Sequence, residues 1–119
     1  MQIRSLLMTL FLVLMLAGCA SQPSADFDLR GEWEYTLTTT DGNTYDAGTI
    51  TFEGEPAKGT YQQLNIYQVD YEGEFTVRGT VLKLTGYETW EGTVMDANTI
   101  EGVWSHDDGS NGTFTARRK

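Results

Sequence analysis

Cysteine and histidine are almost missing from this 119-residue chain, which has one of each, Cys19 and His106, and only two prolines. A single cysteine excludes an internal disulfide and any structural zinc site built on several thiolates. Basic residues are scarce as well, 8 Lys and Arg against 17 Asp and Glu, for a net charge of −9. A surface of that sign excludes nucleic acid as a partner, because phosphate binding needs a basic face. There is no second histidine to complete a metal site, and no serine stands in a nucleophile motif. His106 lies beside Asp107 and Asp108 just before Gly109, which reads as a solvated turn. Asp41, Asn43 and Asp46 depart from the twelve-residue calcium loop and lack its closing glutamate, so they read as a polar hairpin turn. No catalytic constellation, metal or cofactor is therefore expected, and the length allows one domain.

Long apolar runs are absent after residue 16, which isolates the one at the start. Met1-Gln2-Ile3-Arg4 carries a positive charge, and Ser5 to Leu16 is nearly all apolar. This run is shorter than the ~20 residues a membrane span needs and reads as the core of a signal peptide. Leu16-Ala17-Gly18-Cys19 follows and resembles the lipobox of bacterial lipoproteins at all four positions. The resemblance implies diacylglyceryl transfer to the Cys19 sulfur, cleavage after Gly18, and acylation of the new amino group. Two or more acyl chains, at ~0.8 kcal/mol per buried CH₂, hold a protein on a membrane stably. The expected organisation is a signal peptide over 1–18, a lipidated cysteine and polar linker over 19–28, and a folded domain over 29–119. The expected location is extracytoplasmic, anchored to the cell membrane. In a double-membrane bacterium Ala20, where an Asp would retain the protein, implies the periplasmic face of the outer membrane. Without Arg4 the chain keeps 7 basic residues against 17 acidic ones. Such a body stands off an anionic lipid surface and leaves the tether as its membrane contact.

Helical spacing of apolar residues is absent from Leu29 onward, and the period is two. Trp33, Tyr35 and Leu37 alternate with Glu32, Glu34 and Thr36, and Tyr71, Gly73, Phe75 and Val77 with Glu72, Glu74, Thr76 and Arg78. One apolar and one charged face mark antiparallel strands with a wet side. Turn-forming residues at Asp41-Gly42-Asn43, Glu55-Pro56, Gly79, Asp96-Ala97-Asn98 and Asp107-Asp108-Gly109 separate the runs. The spacing predicts eight strands near 31–40, 45–54, 59–67, 69–78, 80–86, 88–95, 99–105 and 112–118. Connections this short give up-and-down neighbours, and closing them into an antiparallel all-β barrel removes exposed edges. Phe52-Glu53-Gly54, Tyr71-Glu72-Gly73 and Trp90-Glu91-Gly92 repeat a bulky–Glu–Gly triplet every 19 residues, as bends in a small coiled barrel require.

Leu29-Arg30-Gly31-Glu32-Trp33 is similar to the Gly-x-Trp start of lipocalins and avidins, and the segments around Trp90, Trp104 and Phe114 resemble small lipocalin-like (calycin-like) barrels. The chain is shorter than classical lipocalins and lacks their disulfides, and it has no convincing set of biotin contacts. The resemblance implies a fold more firmly than a ligand.

The expected inward residues are Trp33, Tyr35, Leu37, Ile50, Phe52, Leu64, Ile66, Tyr71, Phe75, Val77, Leu82, Leu84, Trp90, Val94, Ile100, Trp104 and Phe114. An eight-strand barrel is just wide enough to be filled by side chains or to hold one small ligand. On one reading Trp33, Tyr35, Tyr71, Trp90 and Trp104 line a cup, with Gly73, Gly92 and Gly102 leaving room for a small apolar or amphipathic molecule. On the other, the aromatics plug the barrel, the glycines only bend it, and the protein engages an envelope partner as a hydrolase inhibitor or accessory subunit. Both readings are non-catalytic.

Overall fold

The computed structural model describes residues 24–119; the signal-peptide and Cys19 assignments lie outside them. Eight strands follow in order: β1 (Gly31–Thr39), β2 (Thr44–Gly54), β3 (Lys58–Asn65), β4 (Asp70–Arg78), β5 (Val81–Thr85), β6 (Thr89–Asp96), β7 (Thr99–Ser105) and β8 (Asn111–Arg118). Each pairs antiparallel with the next, and β8 returns to β1 through Trp33–Arg118, Tyr35–Ala116 and Leu37–Phe114, closing an eight-strand up-and-down barrel. All eight expected strands are present. The join near Tyr67 is a four-residue turn, Ile66–Val69, in which Asn65 Oδ1 accepts from the backbone N–H groups of Tyr67 and Val69.

Alternation sets what faces inward. Trp33, Leu37, Ile50, Phe52, Phe75, Val77, Leu82, Leu84, Trp90, Val94, Ile100, Trp104 and Phe114 are all buried, as the period of two requires. β3 departs from the expectation. Leu64 and Ile66 face solvent, 40% and 59% exposed, while Tyr61, Gln63 and Asn65 point in. Directly paired residues share a face. The pairs Phe52–Tyr61, Ile50–Gln63 and Tyr61–Gly73 fix the parity of this strand. Tyr71, also expected inside, is half-buried at the rim.

The aromatic rings fill the barrel. Phe52 meets Trp33 and Phe75 edge-on, at centroid distances of 6.5 and 5.1 Å. Trp90 packs between Tyr35 (5.3 Å) and Phe114 (4.9 Å). Inward glycines make the space these rings use. A Cβ on Gly92 or Gly102 would lie 2.6 or 2.8 Å from the Phe114 ring, and one on Gly73 would lie 2.7 Å from the Tyr61 hydroxyl. No side chain larger than hydrogen fits there. The room that the glycines were expected to offer a ligand is therefore occupied by Phe114 and Tyr61.

One end of the barrel is closed. The segment before β1 crosses it: Ala25 bridges Gly79, Asp26 N–H donates to the Gly79 carbonyl, and Leu29 is fully buried. Trp33 Nε1 donates to the Leu29 carbonyl at 2.8 Å. The Arg118 guanidinium lies 4.5 Å over the Trp33 ring and donates to the carbonyls of Asp28, Arg30 and Ala97. Gly31, at φ +114°, takes the left-handed turn that brings the strap into β1. Asp28 pairs with Arg30, whose side-chain hydrogen bonds hold the carboxyl down at about 2.

Candidate functional site

The opposite end is bounded by the turns 40–43, 66–69, 86–88 and 106–110 and is open. A cavity of about 250 Å³ lies there, lined by Tyr45, Asp46, Asn65, Tyr67, Tyr71, Tyr87 and Glu88. Its walls are largely tyrosine. Tyr71 and Tyr87 stack at 4.6 Å, Tyr87 packs on His106 at 4.5 Å, and Tyr45 stacks on Trp104 at 4.4 Å. Tyr45 and Tyr87 are 38% and 51% exposed, so rings meet solvent at the rim of a buried polar floor.

The floor descends through hydrogen bonds. Gln63 Nε2 donates to the Tyr35 hydroxyl at 3.0 Å, and that hydroxyl donates to Asp46 Oδ2 at 3.1 Å. Asp46 is 8% exposed, and its other oxygen, Oδ1, is buried with no donor among the described residues. Glu88, 5% exposed, accepts from Trp90 Nε1 at 3.4 Å. Burial raises the Glu88 pKa above the ordinary carboxylate value, with further push from Asp46. Desolvation holds the Tyr35 hydroxyl well above its usual range, and it pushes Tyr61 up to about 12, with Glu88 adding to the shift. Two carboxyl groups thus sit in low-dielectric surroundings at the mouth.

Charge along the barrel axis is uneven. Arg30, Lys58, Arg78, Arg117, Arg118 and Lys119 all stand at the closed end, among Asp26, Asp28, Glu32, Glu53, Glu55 and Asp96, and there Asp28–Arg30 and Glu32–Lys119 pair. The four open-end turns hold Asp41, Glu88, Asp107 and Asp108 and contain no Lys or Arg.

The five expected aromatics separate by height. Tyr71 lines the cavity, and Tyr35, Trp90 and Trp104 each touch a lining residue from below, through Asp46, Glu88 and Tyr45 respectively. Trp33 is at the far end under Arg118, sealing the strap. The polar half of the site, Asp46, Glu88, Asn65 and Gln63, was not among the expected residues. Asp46, expected in a hairpin turn with Asp41 and Asn43, is on β2 facing Leu37, whereas Asp41 and Asn43 do form the turn. Its signal was the alternation itself, since Asp46 shares parity with Ile50 and Phe52, and Glu88 with Trp90. His106 belongs to the β7–β8 turn, with Nδ1 accepting from Asp108 N–H at 3.1 Å. Among the described residues no group of three His, Cys, Asp or Glu is placed to hold a metal.

A second cavity, about 480 Å³, is a groove on the outer wall of β3–β5, bordered by Thr60, Glu74, Thr76 and Lys83. Those side chains are solvent-exposed, and none presents a buried polar atom to it.

No family model matches the sequence, and no curated protein matches it. Solved structures of similar fold include a redesigned β-barrel with a TM-score of 0.64 at 20% identity, covering 81% of this chain and 99% of that one. A de novo designed fluorescence-activating β-barrel has a TM-score of 0.57 at 21% identity, covering 77% and 94%. A redesigned β-barrel bound to DFHBI has a TM-score of 0.56 at 22% identity, covering 76% and 98%. At these identities the likeness is one of fold.

Proposed function

We propose that this protein is a lipid-anchored, extracytoplasmic, non-catalytic barrel that holds a small amphipathic molecule in the cup at its open end. The carrying observation is the cup: tyrosine faces at the rim around buried hydrogen-bonding groups, Asp46, Asn65 and Glu88, above a filled barrel. Such a mixture of aromatic walls and a few convergent polar groups suits small-molecule sites. That a barrel of similar fold is bound to DFHBI supports the same use of the architecture.

The anchor and the cup fit one geometry. Five residue steps separate Cys19 from Ser24, where the strap meets the closed end, and they span at most about 18 Å. A lipidated Cys19 would hold the closed end, with its paired charges, toward the membrane, and the acidic open end outward. In a double-membrane bacterium that membrane is the outer one, viewed from the periplasm.

Titrating the full chain in non-ionic detergent with neutral short-chain alcohols and a hydrophobic probe tests the reading. Tryptophan emission should change saturably, because Trp90 and Trp104 touch lining residues. Emission that stays flat across the panel would count against a cup that binds small molecules.

One observation favours a second reading, a protein-interaction module acting as a hydrolase inhibitor or accessory subunit. Ile66, Tyr67 and Val69 leave the β3–β4 turn 59%, 75% and 43% exposed at the rim. Exposed apolar groups so close together mark contact surfaces. Capture of one envelope protein by the wild type, lost on Tyr67→Ser, would support that reading.

A further inference from the structure

We infer that the cup binds a small primary or secondary alkylammonium, its N–H groups donating to Asp46 and Glu88 and its hydrocarbon stem lying against the tyrosine rings. This rests on the reading of the cup as a small-molecule site and names the class of ligand.

Asp46 lines the cavity, and its Oδ1 is buried with no donor among the described residues. A buried polar atom left unpaired carries a desolvation penalty that a donor removes. Its partner oxygen is already committed to Tyr35, so Oδ1 is the acceptor left for a ligand. Glu88 opens on the same cavity, satisfied only by the long contact from Trp90.

Compensating positive charge is not supplied from within. No Lys or Arg stands in the open-end turns, and His106, the one base nearby, is turned toward Asp108, Nδ1 to Oδ1 3.0 Å. A neutral ligand would bring no positive charge to either carboxyl group. A metal would lack a third ligand of the usual kind among the described residues. A quaternary ammonium would neutralise charge but has no N–H for Oδ1. An alkylammonium meets each demand, and the stacked Tyr71–Tyr87 pair offers ring faces to cation and stem alike. The turns around the mouth hold four acidic residues and no Lys or Arg, which favours a cation at this opening.

Isothermal titration of the full chain in non-ionic detergent, at pH 7 and fixed ionic strength, compares n-butylammonium chloride, tetramethylammonium chloride, n-butanol and calcium chloride. We expect saturable one-to-one binding of n-butylammonium, with the other three at least tenfold weaker. Asp46→Asn and Glu88→Gln should each lose at least tenfold in butylammonium affinity while keeping the near-ultraviolet circular dichroism of the wild type. Both variants retain the oxygen that Tyr35 or Trp90 donates to. Should either fail to fold, the comparison of butylammonium with butanol on the wild type decides. Equal binding of n-butanol and n-butylammonium would overturn the cation assignment and leave the cup standing as a small-molecule site. Equal binding of tetramethylammonium, or tighter binding of calcium, would overturn the assignment of an N–H donor. Saturation by none of the four, with flat tryptophan emission across the neutral panel, would overturn both readings.

Discussion

Glu88 is a carboxyl group placed where its charge is disfavoured, by burial first and by Asp46 second. Its pKa is raised on folding, so the folded chain binds this proton more readily than the unfolded one. The stabilisation linked to it is complete below the ordinary value of 4.5 and is lost as pH rises through the higher folded value. The melting temperature of the wild type should therefore fall over that window relative to Glu88→Gln. Parallel melting curves for the two proteins across the window would show that the carboxyl group is not held this way. A second residue-scale effect is steric. Gly92→Ala places a methyl group 2.6 Å from the Phe114 ring, and chemical denaturation should register a loss of about 1–3 kcal/mol. A neutral result would mean that the ring does not fill the space over Gly92. Sequence alone revealed that Gly92 and Gly102 face inward. It did not reveal what fills them, because that depends on Phe114 reaching across from β8.

Among the strands, β3 is where reading by apolar alternation misleads. Leu64 and, one residue past its end, Ile66 are the conspicuous apolar residues, yet its inner face is Tyr61, Gln63 and Asn65. The strand enters the polar floor of the cup, so the buried positions near its end are amides with hydrogen-bonding duties. Gln63 holds Tyr35, and Asn65 holds the β3–β4 turn. Tyr61→Ala should lose ~3–5 kcal/mol in denaturant unfolding, whereas Leu64→Gln should change stability by ~0.5 kcal/mol or less. The reverse ordering would restore the opposite register. At the closed end, the strap before β1 depends on one side chain of β8. Arg118→Ala removes the cation over Trp33 and three hydrogen bonds to backbone carbonyls, and a loss of ~2–4 kcal/mol is expected. Amide exchange at Asp26 and Gly79 should quicken with it. Unchanged exchange would mean that the strap is held by other contacts. The Gly-x-Trp start was legible in the sequence, but its partner, 85 residues further on, was not.

Across the whole molecule, short connections and one alternating period were enough to read an eight-strand closed barrel, because such links leave few other topologies. The cup was less legible, since its lining comes from four separate segments, and Tyr45 and Tyr87 break the inward parity that Asp46 and Glu88 keep. Cys19→Ala tests the proposed tether: the variant should stay an uncleaved precursor that takes up no labelled palmitate, and a processed, labelled product would refute it. On the proposed reading a small molecule is held at the mouth, above an interior already full. The three tryptophans, Trp33, Trp90 and Trp104, report on this directly, because one lies at the closed end and two lie against the cup. Their indole N–H signals can be followed in ¹H–¹⁵N spectra of the labelled full chain during titration with n-butylammonium. The Trp90 and Trp104 signals should shift saturably while the Trp33 signal stays in place. A shift centred on Trp33, or no saturable shift at any of the three, would contradict that reading.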